Sequence, residues 1–145
     1  MTAVAQYRDI LLAEDSPSDA ELLQMAFRQY GCLPCRLHLV HDGEEVLAYL
    51  RQEGFYAHTP RPHLVILDIG LPKLGGWKVL AALRATPALA TLPVVMLTGA
   101  RMESDERHRA ALQPQACWVK PMLLREYQQL VAQLEALLEV STGNR

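Results

Sequence analysis

An excess of positive charge, a long apolar run and a useful number of cysteines are all missing from this chain. Each absence removes a class of function. Lys and Arg number 14 against 16 Asp and Glu, for a net charge of −2. No basic field exists to condense onto nucleic acid or an anionic membrane. The longest apolar runs are short, such as Leu64–Leu67 and Pro93–Leu97, far below the roughly 18 residues that suggest a membrane span. Met1–Asp9 lacks the charged start, apolar middle and small-residue cleavage site of a signal peptide. The expectation is a soluble, cytoplasmic protein with no nucleic-acid or membrane partner. Of the 3 cysteines, Cys32 and Cys35 form Cys-Leu-Pro-Cys. A redox pair of that kind sits where a strand runs into a helix, whose N-terminus stabilises the thiolate. Here the order is reversed: the pair follows a helical pattern and Gly31 and precedes the apolar run Arg36–Val40. It reads as a helix-to-strand turn with two inert thiols. Zinc needs about four ligands, and His38, His41 and Cys117 lack finger or ribbon spacing.

What remains is a globular composition, 50% apolar and 21% charged, in one domain spanning 1–145 with a core over about 8–140. Strand and helix patterns alternate along it. Asp9–Ala13 is a short apolar run ending in acids. Ser16-Pro17-Ser18-Asp19 supplies an N-cap and a proline for a helix start. Ala20, Leu23, Ala26, Phe27 and Tyr30 form its stripe, and Gly31 ends it. Arg36–Val40 is a second strand, and His41-Asp42-Gly43 turns into a second helix. Gly54–Pro62 is a polar, proline-rich loop. Leu64–Leu67 is solidly apolar, as in a strand buried on both faces. Gly75-Gly76 opens a third helix stopped by Thr86-Pro87. Leu92–Leu97 is strand four, Glu103–Leu112 a weaker helix, Ala116–Val119 strand five and Leu124–Val140 the longest helix. Alternating units of this kind predict an α/β fold, a parallel sheet with helices on both faces. In such sheets the site lies beyond the carboxyl ends of the strands.

The residues at those ends are specific. Strand one ends in Glu14-Asp15, strand three in Asp68, strand four in Thr98 and strand five in Lys120-Pro121. Any one alone reads as solvated surface; together they form a chemical set. Crowded carboxylates repel, and a hard cation relieves that. Mg²⁺ prefers oxygen ligands and keeps several waters. A carboxylate can also act as a nucleophile and form an acyl phosphate. Lys120 and the Thr98 hydroxyl are then suited to bind phosphoryl oxygens.

These residues carry a resemblance to the bacterial response-regulator receiver domains. The matching motifs are Ile10-Leu-Leu-Ala-Glu-Asp15, Leu64-Val-Ile-Leu-Asp68 with Leu71-Pro72 and Gly76, Val94-Val-Met-Leu-Thr98 with Gly99-Ala100, and Val119-Lys120-Pro121. The resemblance runs from about Arg8 to about Leu138. It implies a flavodoxin-like fold with strand order 2-1-3-4-5, and phosphoryl transfer from a sensor histidine kinase onto one aspartate. By position, Asp68 is the implied phosphoacceptor. Asp15 is a direct Mg²⁺ ligand, Glu14 acts mainly through a metal-bound water, and the Gly70 carbonyl completes the ligands. Thr98 is the switch hydroxyl and Lys120 the phosphate-pairing cation. A cis peptide before Pro121 is implied as well. Three further features resemble the small single-domain regulators paired with phytochrome-type photoreceptor kinases: the Glu-Asp-Ser-Pro-Ser-Asp start, the His41-Asp42-Gly43-Glu44-Glu45 entry to helix two, and the long loop before strand three.

The family pattern is departed from in places. Cys117 stands where many receivers carry a rotating Tyr or Phe, and Trp118 follows it, expected to pack on the opposite sheet face. Gly70 and Ala100 offer no side chain to orient hydrolytic water, and Arg101 reads only as a solvated charge. Only Ser-Thr-Gly-Asn-Arg follows Val140, so the output is expected to be the receiver's own surface, with no output domain. The apolar residues of Leu124–Val140 exceed one narrow stripe, and related regulators commonly pair through this end. A homodimer through the C-terminal helix is therefore expected. A turnover enzyme is not. The dehalogenase-like phosphatases carry Asp-x-Asp-x-Thr, whereas Asp68 is followed by Ile69-Gly70-Leu71. A phosphorylation-independent dimerisation adaptor of receiver fold is the alternative, and the complete set of acids, Thr98 and Lys120 argues against it.

Overall fold

In the computed structural model, residues 6–99 and 106–143 are described. Parallel strands form one sheet in the order β2-β1-β3-β4-β5, where β1 is Arg8–Ala13, β2 Cys35–Val40, β3 Leu64–Asp68, β4 Val94–Thr98 and β5 Ala116–Val119. The helices between them are α1 (Pro17–Tyr30), α2 (Gly43–Arg51), α3 (Gly76–Ala85), α4 (Glu106–Leu112) and α5 (Tyr127–Gly143). This is the expected flavodoxin-like order. All of β3 and β4 is buried, because a central parallel strand is covered on both faces.

Side chains alternate across the pleat and divide the core in two. Ile10, Leu12, Leu64, Ile66, Val95 and Leu97 face α1 and α5. Leu11, Ala13, Val65, Leu67, Val94 and Met96 face α2 and α3. Cys117 packs with the second group and Trp118 with the first, as expected.

Local chemistry sets the helix ends. The Ser16 hydroxyl accepts from the Asp19 N–H at 3.3 Å to start α1, with Pro17 following. Asp42 caps α2 by accepting from the Glu45 N–H at 2.8 Å. Gly31 ends α1 with an ordinary φ of −69°, so left-handed freedom is not why glycine stands there. A Cβ at Gly31 would lie 2.5 Å from the Phe27 carbonyl oxygen; closeness of backbone to backbone is the reason.

Other differences from expectation are local. The Gly54–Pro62 loop contains a 3-10 turn at Gly54–Tyr56. The last helix is preceded by a 3-10 turn at Leu124–Glu126. The peptide before Pro121 is trans, as no cis peptide occurs among the described residues; the two isomers before proline differ intrinsically by only about 0.5–1 kcal/mol. Ala100, Arg101 and the first residues expected for α4 lie outside the described residues. Among those described, no helix is long and apolar enough to cross a membrane.

The apolar stripe of α5 is the larger correction. Tyr127, Leu130, Val131, Leu134 and Leu138 are all buried inside this one chain, and Leu137 packs partly against them. They are not left over for a partner, because α5 sits in the groove between α1 and the sheet and needs a broad apolar face to fill it. The exposed large apolar side chains at this end are Val119, Met122 and Leu123, on the connection from β5 to α5.

Candidate functional site

Strand register brings the ends of β1, β3, β4 and β5 to one edge. Ala13 pairs with Leu67, Asp68 with Leu97 and Thr98 with Val119. The residues directly beyond therefore converge. Glu14 and Asp68 are buried and Asp15 is exposed, and each contributes a carboxylate oxygen to a group lying within 4.8 Å of one another. Asp68 Oδ1 accepts from the Gly70 N–H at 3.1 Å. This fixes the backbone of Gly70 beside the carboxylate. Glu14 Oε2 accepts from the Ser16 N–H at 3.1 Å. Thr98 is buried at the end of β4, and its carbonyl accepts from the Lys120 N–H at 2.7 Å.

The Lys120 ammonium reaches into this edge. Its Nζ lies 2.6 Å from Glu14 Oε1, 3.0 Å from Asp19 Oδ2 and 3.3 Å from Asp68 Oδ2. Acids outnumber the cation at this edge. Burial pushes the Glu14 carboxyl up to about 7; hydrogen bonds from Lys120 and Ser16 oppose it, and the Asp68 charge adds to it. Burial alone would lower the Lys120 ammonium. Hydrogen bonds to Glu14 and Asp19 and the charges of Asp68 and Glu14 outweigh that and raise it. Every predicted site residue is thus at this edge. Asp19 was missed: the sequence showed it only as part of a helix start. The available signal was its place one helical turn beyond Glu14-Asp15, at the same edge.

The donor set consists of oxygens, with two acids partly withdrawn from water and one open to it. That fits a hard divalent cation that keeps waters.

Residues 10–132 match the family model for the response regulator receiver domain. The chain belongs to that family. This receiver is similar to the response regulator Rcp1 of Synechocystis sp., 41% identical over 96 residues, which are 66% of this chain and 65% of that protein. The match therefore spans slightly less than two thirds of that protein's length. Among solved structures, this receiver resembles the phosphorylated cyanobacterial phytochrome response regulator RcpA. That likeness has 37% identity and a TM-score of 0.83 and covers 92% of this chain and 94% of that one. It also resembles the Mn²⁺-bound form of Rcp1, with 34% identity, a TM-score of 0.80 and coverage of 89% and 92%.

Proposed function

We propose that this receiver accepts a phosphoryl group on Asp68 from a phytochrome-type sensor histidine kinase and signals the change through its own surface. The observation that carries the reading is the convergence of Glu14, Asp15, Asp68 and Lys120 at one sheet edge in a chain of this family. The similarity to phytochrome response regulators supports the photoreceptor partner. In the transfer, a carboxylate oxygen of Asp68 forms a bond to phosphorus as the phosphorus–nitrogen bond of the kinase phosphohistidine breaks, and the histidine leaves. The receiver's own residues would supply the catalysis for that step and for later hydrolysis. Mg²⁺, held by Asp15, Asp68, the Gly70 carbonyl and Glu14 through water, would supply charge neutralisation. The Gly70 N–H positions Asp68, Lys120 pairs with the added phosphoryl oxygens, and Thr98 donates its hydroxyl to them. Transfer of label from an autophosphorylated phytochrome-type kinase to this chain tests the proposal. No transfer, with acetyl phosphate labelling intact, would overturn the partner and leave the phosphoacceptor.

Lys120→Ala is expected to allow slow labelling of Asp68 and to uncouple it from the change in shape. Only contacts that differ between two states shift their equilibrium, and Lys120 joins Asp68 to β5. Limited proteolysis before and after phosphorylation should differ in the wild type and coincide in the variant. A variant that shifts normally would remove Lys120 from the switch.

The homodimer is proposed through the β5–α5 connection rather than the face of α5. Val119, Met122 and Leu123 are exposed around an open groove of about 770 Å³ that Trp118 and Gln133 also line. Exposed apolar surface of this kind favours association, and a second copy is the occupant the family resemblance supports. Replacing Met122 and Leu123 together by glutamate should give a folded monomer by light scattering. A wild type that is monomeric at micromolar concentration, phosphorylated or not, would exclude the dimer.

A further inference from the structure

A lysine ammonium has three N–H donors and no acceptor. At Lys120 these meet three carboxylates: Glu14, Asp19 and Asp68. Glu14 and Asp68 belong to the acid group described above. Asp19 stands apart from it, in the first turn of α1. The capping bond there is made by its backbone N–H to the Ser16 hydroxyl, while its carboxylate is turned to Lys120, 101 residues away in sequence. Its side chain is 36% exposed, against 5% for Glu14 and 12% for Asp68.

We infer that Asp19 is a positioning residue that acts through Lys120: it holds the ammonium toward α1 and competes with a phosphoryl oxygen on Asp68 for one donor. This rests on Asp68 being the phosphoacceptor. A phosphoryl group brings about −1.5 to −2 of charge and new acceptor oxygens to a carboxylate already 3.3 Å from Lys120. The Asp68 contact itself can pass to one phosphoryl oxygen, and a fully engaged ammonium can then take a second only by releasing Glu14 or Asp19. Releasing Glu14 strips a buried carboxylate of its cation. Releasing Asp19 frees a carboxylate that water can reach, which costs less than uncovering a buried one. Asp19 is therefore the contact that yields. While it is made, it favours the unphosphorylated arrangement.

Equilibrium titration of the full chain with beryllium fluoride, a phosphoryl mimic, in Mg²⁺ buffer tests this by calorimetry. Asp19→Asn should bind about five- to tenfold more tightly than wild type, and Asp19→Glu should return most of the way. In a Lys120→Ala background, Asp19→Asn should change affinity less than twofold. A merely structural role at the start of α1 would lower the melting temperature in both backgrounds and leave affinity unchanged. Unchanged or weaker binding in Asp19→Asn would overturn the inference. Equal tightening with and without Lys120 would also overturn it, because Asp19 would then act by direct repulsion. Wild type that binds no beryllium fluoride, like Asp68→Asn, would instead refute the phosphoacceptor reading itself.

Discussion

Asp68→Asn is expected to abolish phosphoryl incorporation while leaving the fold intact. Incubation with acetyl phosphate and Mg²⁺ should add one phosphoryl mass to the wild type and none to the variant. Added chelator should suppress the wild-type signal. The loss should be at least about a hundredfold, or roughly 2.7 kcal/mol in activation free energy. The substitution keeps the size of the side chain and an oxygen able to accept from the Gly70 N–H, now at 3.1 Å. It removes the anionic nucleophile. Glu14 is tied to Lys120 at 2.6 Å and to the Ser16 N–H at 3.1 Å, and Asp15, although exposed, keeps a carboxylate oxygen within 4.8 Å of those of Glu14 and Asp68, where it is the implied metal ligand. Stability should hold or rise, because one of several crowded negative charges is gone. A melting curve shows that the variant is folded, and intact mass reads the label. Equal labelling of variant and wild type would place the acceptor elsewhere.

Gly43→Ala should cause a far larger loss of stability than the same methyl addition at Gly54. Gly43 opens α2, and a Cβ there would lie 2.0 Å from the Leu74 carbonyl oxygen and 2.7 Å from the Leu74 Cβ. The obstacle is backbone, so no side-chain rotation relieves it. The Gly43 N–H also donates to the Pro72 carbonyl at 3.2 Å, which ties the entry of α2 to the loop after Asp68. Overpacking of this kind costs about 3 kcal/mol at its upper end, roughly 10 °C in melting temperature for a domain of this size. The loop carrying Gly70 would shift with it, so labelling of Asp68 should slow in the same variant. Gly54→Ala is the control. Gly54 has a φ of +55° with nothing within 4 Å of an added Cβ, so its cost is the left-handed backbone alone, about 1 kcal/mol. Similar melting temperatures for the two variants would mean that α2 and the loop can move apart freely.

Much of the site was legible in the sequence because its determinants are local. A buried parallel strand must be apolar on both faces, so Leu64–Leu67 and Val94–Leu97 stand out from their surroundings. A strand's end is where polar residues first appear, so Glu14, Asp15, Asp68, Thr98 and Lys120 are marked by position alone. The strand order came from the family resemblance and not from these patterns, since periodicity does not say which strand lies beside which. The sheet's register then aligned those ends within reach of one another.

Three features were decided only by the tertiary structure. The apolar excess of α5 looked like a spare face, but periodicity cannot tell a broad groove between α1 and the sheet from an interface; packing assigned Leu130, Leu134 and Leu138 to the core. Gly43 looked like an ordinary helix start, and its necessity comes from the carbonyl of Leu74, a contact between the start of α2 and the loop after β3. Asp19 looked like a first-turn acid, and its partner is 101 residues distant. Local pattern determines which segments become strands and helices and which residues stand at their ends, because burial and hydrogen bonding constrain each segment separately. Which of those ends share a proton donor, and which backbones touch, depends on contacts between segments far apart in the chain.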